Sequence, residues 1–440
     1  MQEFNVYWAV IGASIIIILS YGYNALARKT NVPSVLMLIV TGFILSLFIP
    51  LDQEALKPVL ETLGTVGLIM IVLEAALDLH LEADKGKLIG QSLVISLVLL
   101  VFTTFGIAMI IRFFFDVTPF GALVYAIPLS IMSSAIIIPS VSNLQGKQKE
   151  FLVFESAFSD ILGIMFFYFL LDSATMEGAG AVTLHIAKNI GLTLVVAAVF
   201  SYVVIILIQK VTGEVKLFLP IAVLVLVYAT GKLFHLSSLI FVLAFGLMLN
   251  NKDIFFKGIF KKYVLPGPYN NLLKEIKLIT FESSFLIRTF FFIVFGMSIT
   301  LDGFNQVSIF LIAILALIIM YLLRFVALRT MAKSQLNPGL YIAPRGLITI
   351  LLFYSIPTQY QIADFSPAIL LLVIICSSLI MMYGLIKNKR DLAQEEDLAI
   401  STEEQPALEG HQVTPLDEIA KPISHPERPE GNPSTESLND

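Results

Sequence analysis

The stretch Phe-Glu-Ser-Ala-Phe-Ser-Asp at 154–160 sets two carboxylates, Glu155 and Asp160, inside an apolar run that continues through Leu171. A carboxylate at membrane depth is costly and is seldom found there without a task. Ser156 and Asp160 are four residues apart and share one helix face, with Glu155 and Ser159 on the adjoining stripe. A hard monovalent cation takes several oxygen ligands. Asp160 supplies charge, Ser156 a hydroxyl, Ser159 and Ser133 or Ser134 further hydroxyls, and Gly163 permits close approach. Burial disfavours the charged carboxylate, whereas a bound cation favours it. Such a site holds a proton or a metal ion but not both, and a carrier that moves only when the acid is neutralised exchanges one for the other.

The 440-residue chain is 57% hydrophobic and 14% charged, against roughly a quarter charged in soluble domains. It reads as an all-α polytopic membrane protein, because its apolar runs reach the ~20 residues a spanning helix needs. They lack the alternation of an outer-membrane barrel. The single cysteine, Cys376, excludes a disulfide framework, and the five histidines form no ligand pair at helical spacing. With no phosphate loop or nucleophile triad either, the chain is not expected to be an enzyme, to need a cofactor or to bind nucleic acid. Residues 391–440 hold thirteen acidic residues against Lys421 and Arg428, plus six prolines, so this tail carries −11 and the remainder +6. That composition predicts a disordered acidic tail.

About thirteen spans are expected, near 6–27, 32–50, 63–80, 88–111, 119–143, 150–171, 189–209, 217–232, 237–250, 279–300, 306–328, 338–356 and 365–386. Assigning alternate loops to opposite faces collects nineteen lysines and arginines on one side and only Lys57, Arg112, Lys188 and Lys232 on the other. The positive-inside rule makes the first side cytoplasmic. The N-terminus is then outside and the C-terminus inside, in a multi-pass protein of the cell membrane. The segment 251–278, basic and aromatic, reads as a cytoplasmic surface facing headgroups.

Two spans are interrupted. The fifth carries Pro128, Pro139 and four serines from Ala126 to Ser140, and the twelfth carries Pro344-Arg345-Gly346. Proline removes a backbone donor and frees carbonyls. The two spans are seven apart, so they run oppositely through the membrane. Broken helices at corresponding places in inverted halves point to a substrate site at the midplane. Entering from 150, Glu155 lies about 8 Å deep and Asp160 about 15 Å deep, at the midplane. Arg324, four residues before the end of the eleventh span, lies at almost the depth of Glu155, which predicts a Glu155–Arg324 ion pair that leaves Asp160 unpaired. Among the other buried charges, Glu74 either lines an ion funnel or pairs with Arg288. Arg345 is placed to compensate freed carbonyls or a helix end.

The chain resembles the monovalent cation:proton antiporters of the NhaP/NHE type. Glu-Ser-x-x-Ser-Asp at 155–160 is similar to that branch's Glu-Ser-x-x-Asn-Asp. Asn-Val-Pro-Ser-Val-Leu-Met-Leu at 31–38, Val-Leu-Glu-Ala-Ala-Leu-Asp-Leu at 72–79, Phe-Phe-Phe-Ile-Val-Phe-Gly-Met-Ser at 290–298 and Pro-Arg-Gly at 344–346 follow in the family's order. Two positions depart: Ser159 stands for the family's asparagine, and Ser133-Ser134-Ala135 for its Thr-Asp-Pro. The resemblance implies an NhaA/NhaP-like inverted-repeat fold with two discontinuous crossing helices. It implies core helices at about 88–171 and 306–386 and scaffold helices at about 6–80 and 189–300. It implies Asp160 as the ion- and proton-binding acid, Ser156 as a ligand, the Glu155–Arg324 pair, and a homodimer with an elevator-like motion. Na⁺ (or Li⁺) exchange for H⁺, with a role in pH homeostasis, is the expected function. No second acid precedes Asp160, unlike the Asp-Asp of electrogenic members of the other major branch, so electroneutral exchange is expected. K⁺/H⁺ exchange is the alternative, and an organic-anion symporter on the same fold is the remoter one.

Overall fold

The computed structural model describes the chain from Val6 to Glu404, apart from residues 31, 49–52, 82, 142–143, 145, 175–178, 211–220, 223, 227, 230–237, 256–265 and 300–305. Among the described residues the regular structure is helical throughout. The longer helices are α1 (Val6–Thr30), α2 (Ser34–Phe48), α3 (Gln53–Asp78), α4 (Gly86–Phe114), α5 (Pro119–Ser130), α6 (Ser134–Ser140), α7 (Gly146–Ser173), α8 (Ala179–Lys210), α9 (Ser238–Asn250), α10 (Pro266–Met297), α11 (Val307–Met331), α12 (Leu347–Tyr354) and α13 (Ala368–Glu404). Helix is the expected outcome for apolar runs in lipid, where every backbone polar group needs a partner within the segment.

Among the described residues, eight helical segments are long and apolar enough to cross a membrane, with α5 and α6 counted as one, and three shorter apolar helices lie at Ser34–Phe48, Gly191–Val204 and Ser238–Asn250. This count is lower than the thirteen expected. The expected span at 338–356 is not one helix: a helical turn at Leu336–Gly339 gives way to a turn and non-helical chain before α12 begins at Leu347. Much of the expected span at 217–232, and part of the basic-aromatic segment 251–278, lie outside the described residues.

The chain divides into two compact units, Met1–Lys389 and Arg390–Asp440. The second departs from the expected boundary of disorder, because α13 stays helical to Glu404. Residues 391–404 are rich in Ala, Leu and Glu and meet no proline before Pro406, a composition that favours helix. Residues 405–440 of the expected tail lie outside the described residues.

Within the first unit, α4 packs on α5, α7 and α11, while α10 packs on α2 and α3, and α9 on α3 and α8. Outward faces carry large apolar side chains, among them Phe105, Met109 and Phe113 of α4 and Ile314, Ile318 and Leu322 of α11, as lipid contact requires. The α2–α10 crossing is set by two glycines: a Cβ at Gly42 would run into the Ile293 carbonyl, and one at Gly296 into that of Ile39. Small residues let backbones approach where no hydrophobic driving force separates protein from lipid. Gly296→Val is expected to destabilise the folded protein by about 1–3 kcal/mol through overpacking, read as a lowered melting midpoint in detergent. An unchanged midpoint would show that the two helices can separate at no cost.

Candidate ion-binding site

The site is built where two broken helices meet. Thr118 caps α5, its Oγ1 accepting from Gly121 N at 3.1 Å, and Pro119 opens the first turn. The break follows at Ile131–Ser133, where Ile131 and Ser133 adopt extended dihedrals before α6 starts at Ser134. The two prolines sit inside α5 and α6 rather than at the break itself. Tertiary partners hold the break: Met132 N donates to Ser159 Oγ at 2.9 Å, and Ser133 N donates to Pro344 O at 2.9 Å. That second bond joins one interrupted span to the other, so the two breaks cross. Gly346 is required there, since a Cβ on it would come within 2.6 Å of Ser133 Oγ.

Arg345 closes the crossing from the other interrupted span. Its Nε donates to Leu129 O at 2.8 Å, in the last turn of α5, and its Nη1 to Ala343 O at 3.0 Å. A buried guanidinium therefore meets the carbonyl end of a helix, the end that favours positive charge. Ser377 of α13 accepts from Arg345 N at 3.0 Å.

Asp160 of α7 faces this crossing and is 2% exposed. Its Oδ2 accepts from both the backbone N (3.2 Å) and the hydroxyl of Ser134. Its Oδ1 is buried without a hydrogen-bond partner. An unpaired buried acceptor is uncommon and costly, and here it is one oxygen of a carboxylate at the centre of the fold. One turn away, Glu155 accepts from Arg324 Nη1 at 2.8 Å and Nη2 at 3.0 Å, while Arg324 Nε donates to Gly339 O at 2.8 Å. Both partners are almost completely buried.

A cavity of about 230 Å³ runs from exposed Asp78 past Glu74 and Arg288 to Ser134. Ser134 is thus shared: it lines the cavity and holds Asp160. A second cavity, about 20 Å³, touches Glu155, Ser159, Arg324 and Arg345.

The family profile described as "Sodium/hydrogen exchanger, transmembrane" matches residues 14–385. The chain belongs to the sodium/hydrogen exchanger family. It is a secondary active antiporter that exchanges Na⁺ (or Li⁺) for H⁺ across a membrane, and so a transporter rather than an enzyme. No curated protein sequence matches it. Among solved structures it is similar to the sodium proton antiporter MjNhaP1 from Methanocaldococcus jannaschii at pH 8, with a TM-score of 0.66 and 18% identity over 88% of this chain and 99% of that one. The electron-microscopy structure of the same antiporter aligns with a TM-score of 0.61 and 18% identity over 87% and 95% of the two chains. At that identity the likeness shows the fold, an all-α membrane architecture with discontinuous crossing helices.

In the exchanger, the residues singled out from the sequence do not all converge. Asp160, Ser134, Ser133, Ser159 and Arg345 gather at the crossing. Ser156 shares Asp160's helix, but its hydroxyl donates back to Val153 O at 3.1 Å. Ser159 engages the break through Met132 rather than Asp160. Glu74 and Arg288 meet at 3.0 Å and line the cavity that reaches Ser134. Sequence reasoning missed Ser96, whose hydroxyl donates to Glu155 O at 2.7 Å, and Ser377. Ser96 follows Ser92 by one turn and Ser377 adjoins Ser378, and serines scattered in apolar helices carry no signal by themselves.

Proposed function

We propose that Asp160 is the group that carries either the proton or the alkali cation, with Ser134 and Ser156 as neighbouring oxygen ligands and Ser133 and Ser159 shaping the break. The observation that carries this reading is the buried Oδ1 of Asp160, unpaired, on a carboxylate whose other oxygen is held by the cavity-lining Ser134. A cation arriving through the cavity has an anionic ligand with a lone pair to offer, and a proton satisfies the same atom. The pair Glu155–Arg324 is the structural brace of α7 against α11, and it leaves Asp160 to titrate alone.

In this reading the exchanger has thirteen spans in inverted halves, its N-terminus outside and its acidic C-terminal segment in the cytoplasm, as the loop charges require. The access cavity then opens to the cytoplasm. Helices at 88–171 and 306–386 form the moving core and those at 6–80 and 189–300 the scaffold. The contacts of α4 with α5, α7 and α11, and of α10 with α2 and α3, support that division. A homodimer in a lipid bilayer of the cell membrane, serving pH homeostasis, completes the proposal.

One acid shared by two ions makes two measurable demands. Where Asp160 is mostly protonated, the Na⁺ concentration for half-maximal exchange should rise about tenfold for each unit fall in pH, because one proton competes with one cation. With one charge passing each way, an imposed membrane potential should leave the exchange rate in proteoliposomes unchanged. A half-saturation independent of pH would remove the shared acid, and a potential-driven rate would remove one-for-one exchange.

A further inference from the structure

Among the described residues, one carboxylate–guanidinium pair is buried and a second is half-buried, and they differ in kind. Glu155–Arg324 is bidentate, with both carboxylate oxygens and the guanidinium Nε engaged, and 1–2% exposed. Glu74–Arg288 is a single contact, Nη2 to Oε1 at 3.0 Å, between side chains 17–19% exposed. The second carboxylate oxygen of Glu74 is buried with no hydrogen-bond partner. The first pair is a closed lock. The second is half-made, and it lines the cavity that leads to Ser134 and Asp160.

Any cation travelling from the mouth at Asp78 to Ser134 passes this pair. It meets a carboxylate with an unused oxygen, already neutralised by a positive charge on a flexible arm. Asp78 lies on the same face of α3 as Glu74, one turn nearer the mouth and lining the same cavity. The Cα positions are separated by about 6 Å along the axis, within the swing of an arginine side chain. The guanidinium therefore has a second carboxylate to move to when Glu74 takes another partner.

We propose that Arg288 is a tethered competitor of the transported cation: it neutralises Glu74 between passages, yields to an alkali ion by swinging toward Asp78, and so sets the exchanger's apparent affinity and speeds release. The inference rests on the reading of Asp160 as carrier acid, but the two fail separately. The Asp160 reading is decided by a variant that lacks the carboxylate, whereas the role of Arg288 is read by comparing half-saturation among variants that all keep it.

The test is Na⁺-driven proton flux in proteoliposomes at one fixed pH, with half-saturation and maximal rate measured separately. Arg288→Gln should lower the Na⁺ half-saturation concentration about fivefold, the scale of a partly exposed ion pair, and lower the maximal rate. Arg288→Lys should stay within about twofold of wild type, since a single-nitrogen contact needs only the charge. Glu74→Gln should raise half-saturation, because it leaves the arginine uncompensated in the path. If Arg288→Gln does not fold, Glu74→Gln with Arg288→Gln replaces it, and the double variant should bind Na⁺ at least fivefold more tightly than Glu74→Gln alone. A half-saturation that is unchanged or higher on loss of the arginine, in a folded protein, overturns the proposal. So does a lysine variant that behaves like the glutamine one, which would point to a purely structural guanidinium.

Discussion

Asp160→Asn should reduce Na⁺-driven proton flux to that of protein-free liposomes while leaving the fold intact. Asparagine matches aspartate in size, and its amide oxygen can still accept from Ser134 N, so the crossing of the broken helices is preserved. What it removes is ionisation. A neutral amide neither takes up a proton in the working pH range nor offers a full negative charge to an alkali ion, and both halves of the cycle stop together. Asp160→Glu keeps the charge but moves it by one methylene in a close-packed site, where Gly163 already abuts Ile131. It should keep exchange with a changed Na⁺ half-saturation. Robust exchange by the asparagine variant, in correctly folded protein, would reassign the carrier acid.

The second large effect is on stability. Glu155→Ala or Arg324→Ala should each cost about 3–5 kcal/mol, because each leaves an uncompensated charge where its partner was buried. Set against a total stability of about 5–15 kcal/mol, either loss should empty the folded peak in size-exclusion chromatography or lower the melting midpoint sharply. The exchanged pair, Glu155→Arg with Arg324→Glu, should recover part of the loss. Recovery is incomplete because the Arg324 Nε bond to Gly339 O is lost when the guanidinium leaves position 324. Equal instability of the single and exchanged variants would show that these side chains do not act as a pair.

Much of the architecture could be read from composition and periodicity. Long apolar runs dictate helices in lipid, because lipid offers the backbone no partner, and basic residues collected on alternate loops dictate a sidedness to test. Depth could be counted along a helix at about 1.5 Å per residue. That counting set Glu155 level with Arg324, and the side chains meet at 2.8 Å. Proline and glycine marked the spans that break and, in the twelfth, the place, since Pro344 and Gly346 stand in the non-helical stretch before Leu347; in the fifth they did not mark the place. Pro128 and Pro139 stand within helical turns, and the non-helical residues are Ile131–Ser133.

The tertiary structure alone decided the rest. Nothing local to Ile131–Ser133 specifies non-helical chain. Ser159 and Pro344, distant in sequence, hold the amides of Met132 and Ser133. Whether Glu74 lined a funnel or paired with Arg288 was open from sequence; folding pairs the two at 3.0 Å, with both lining one cavity. The serines near Asp160 looked equivalent as ligands, yet Ser134 bonds its carboxylate while Ser156 turns back to its own helix. A sequence states which groups exist and at what depth, because helix geometry is local. Which of them share a hydrogen bond depends on how separate helices are rotated and packed, and that depends on the whole chain at once.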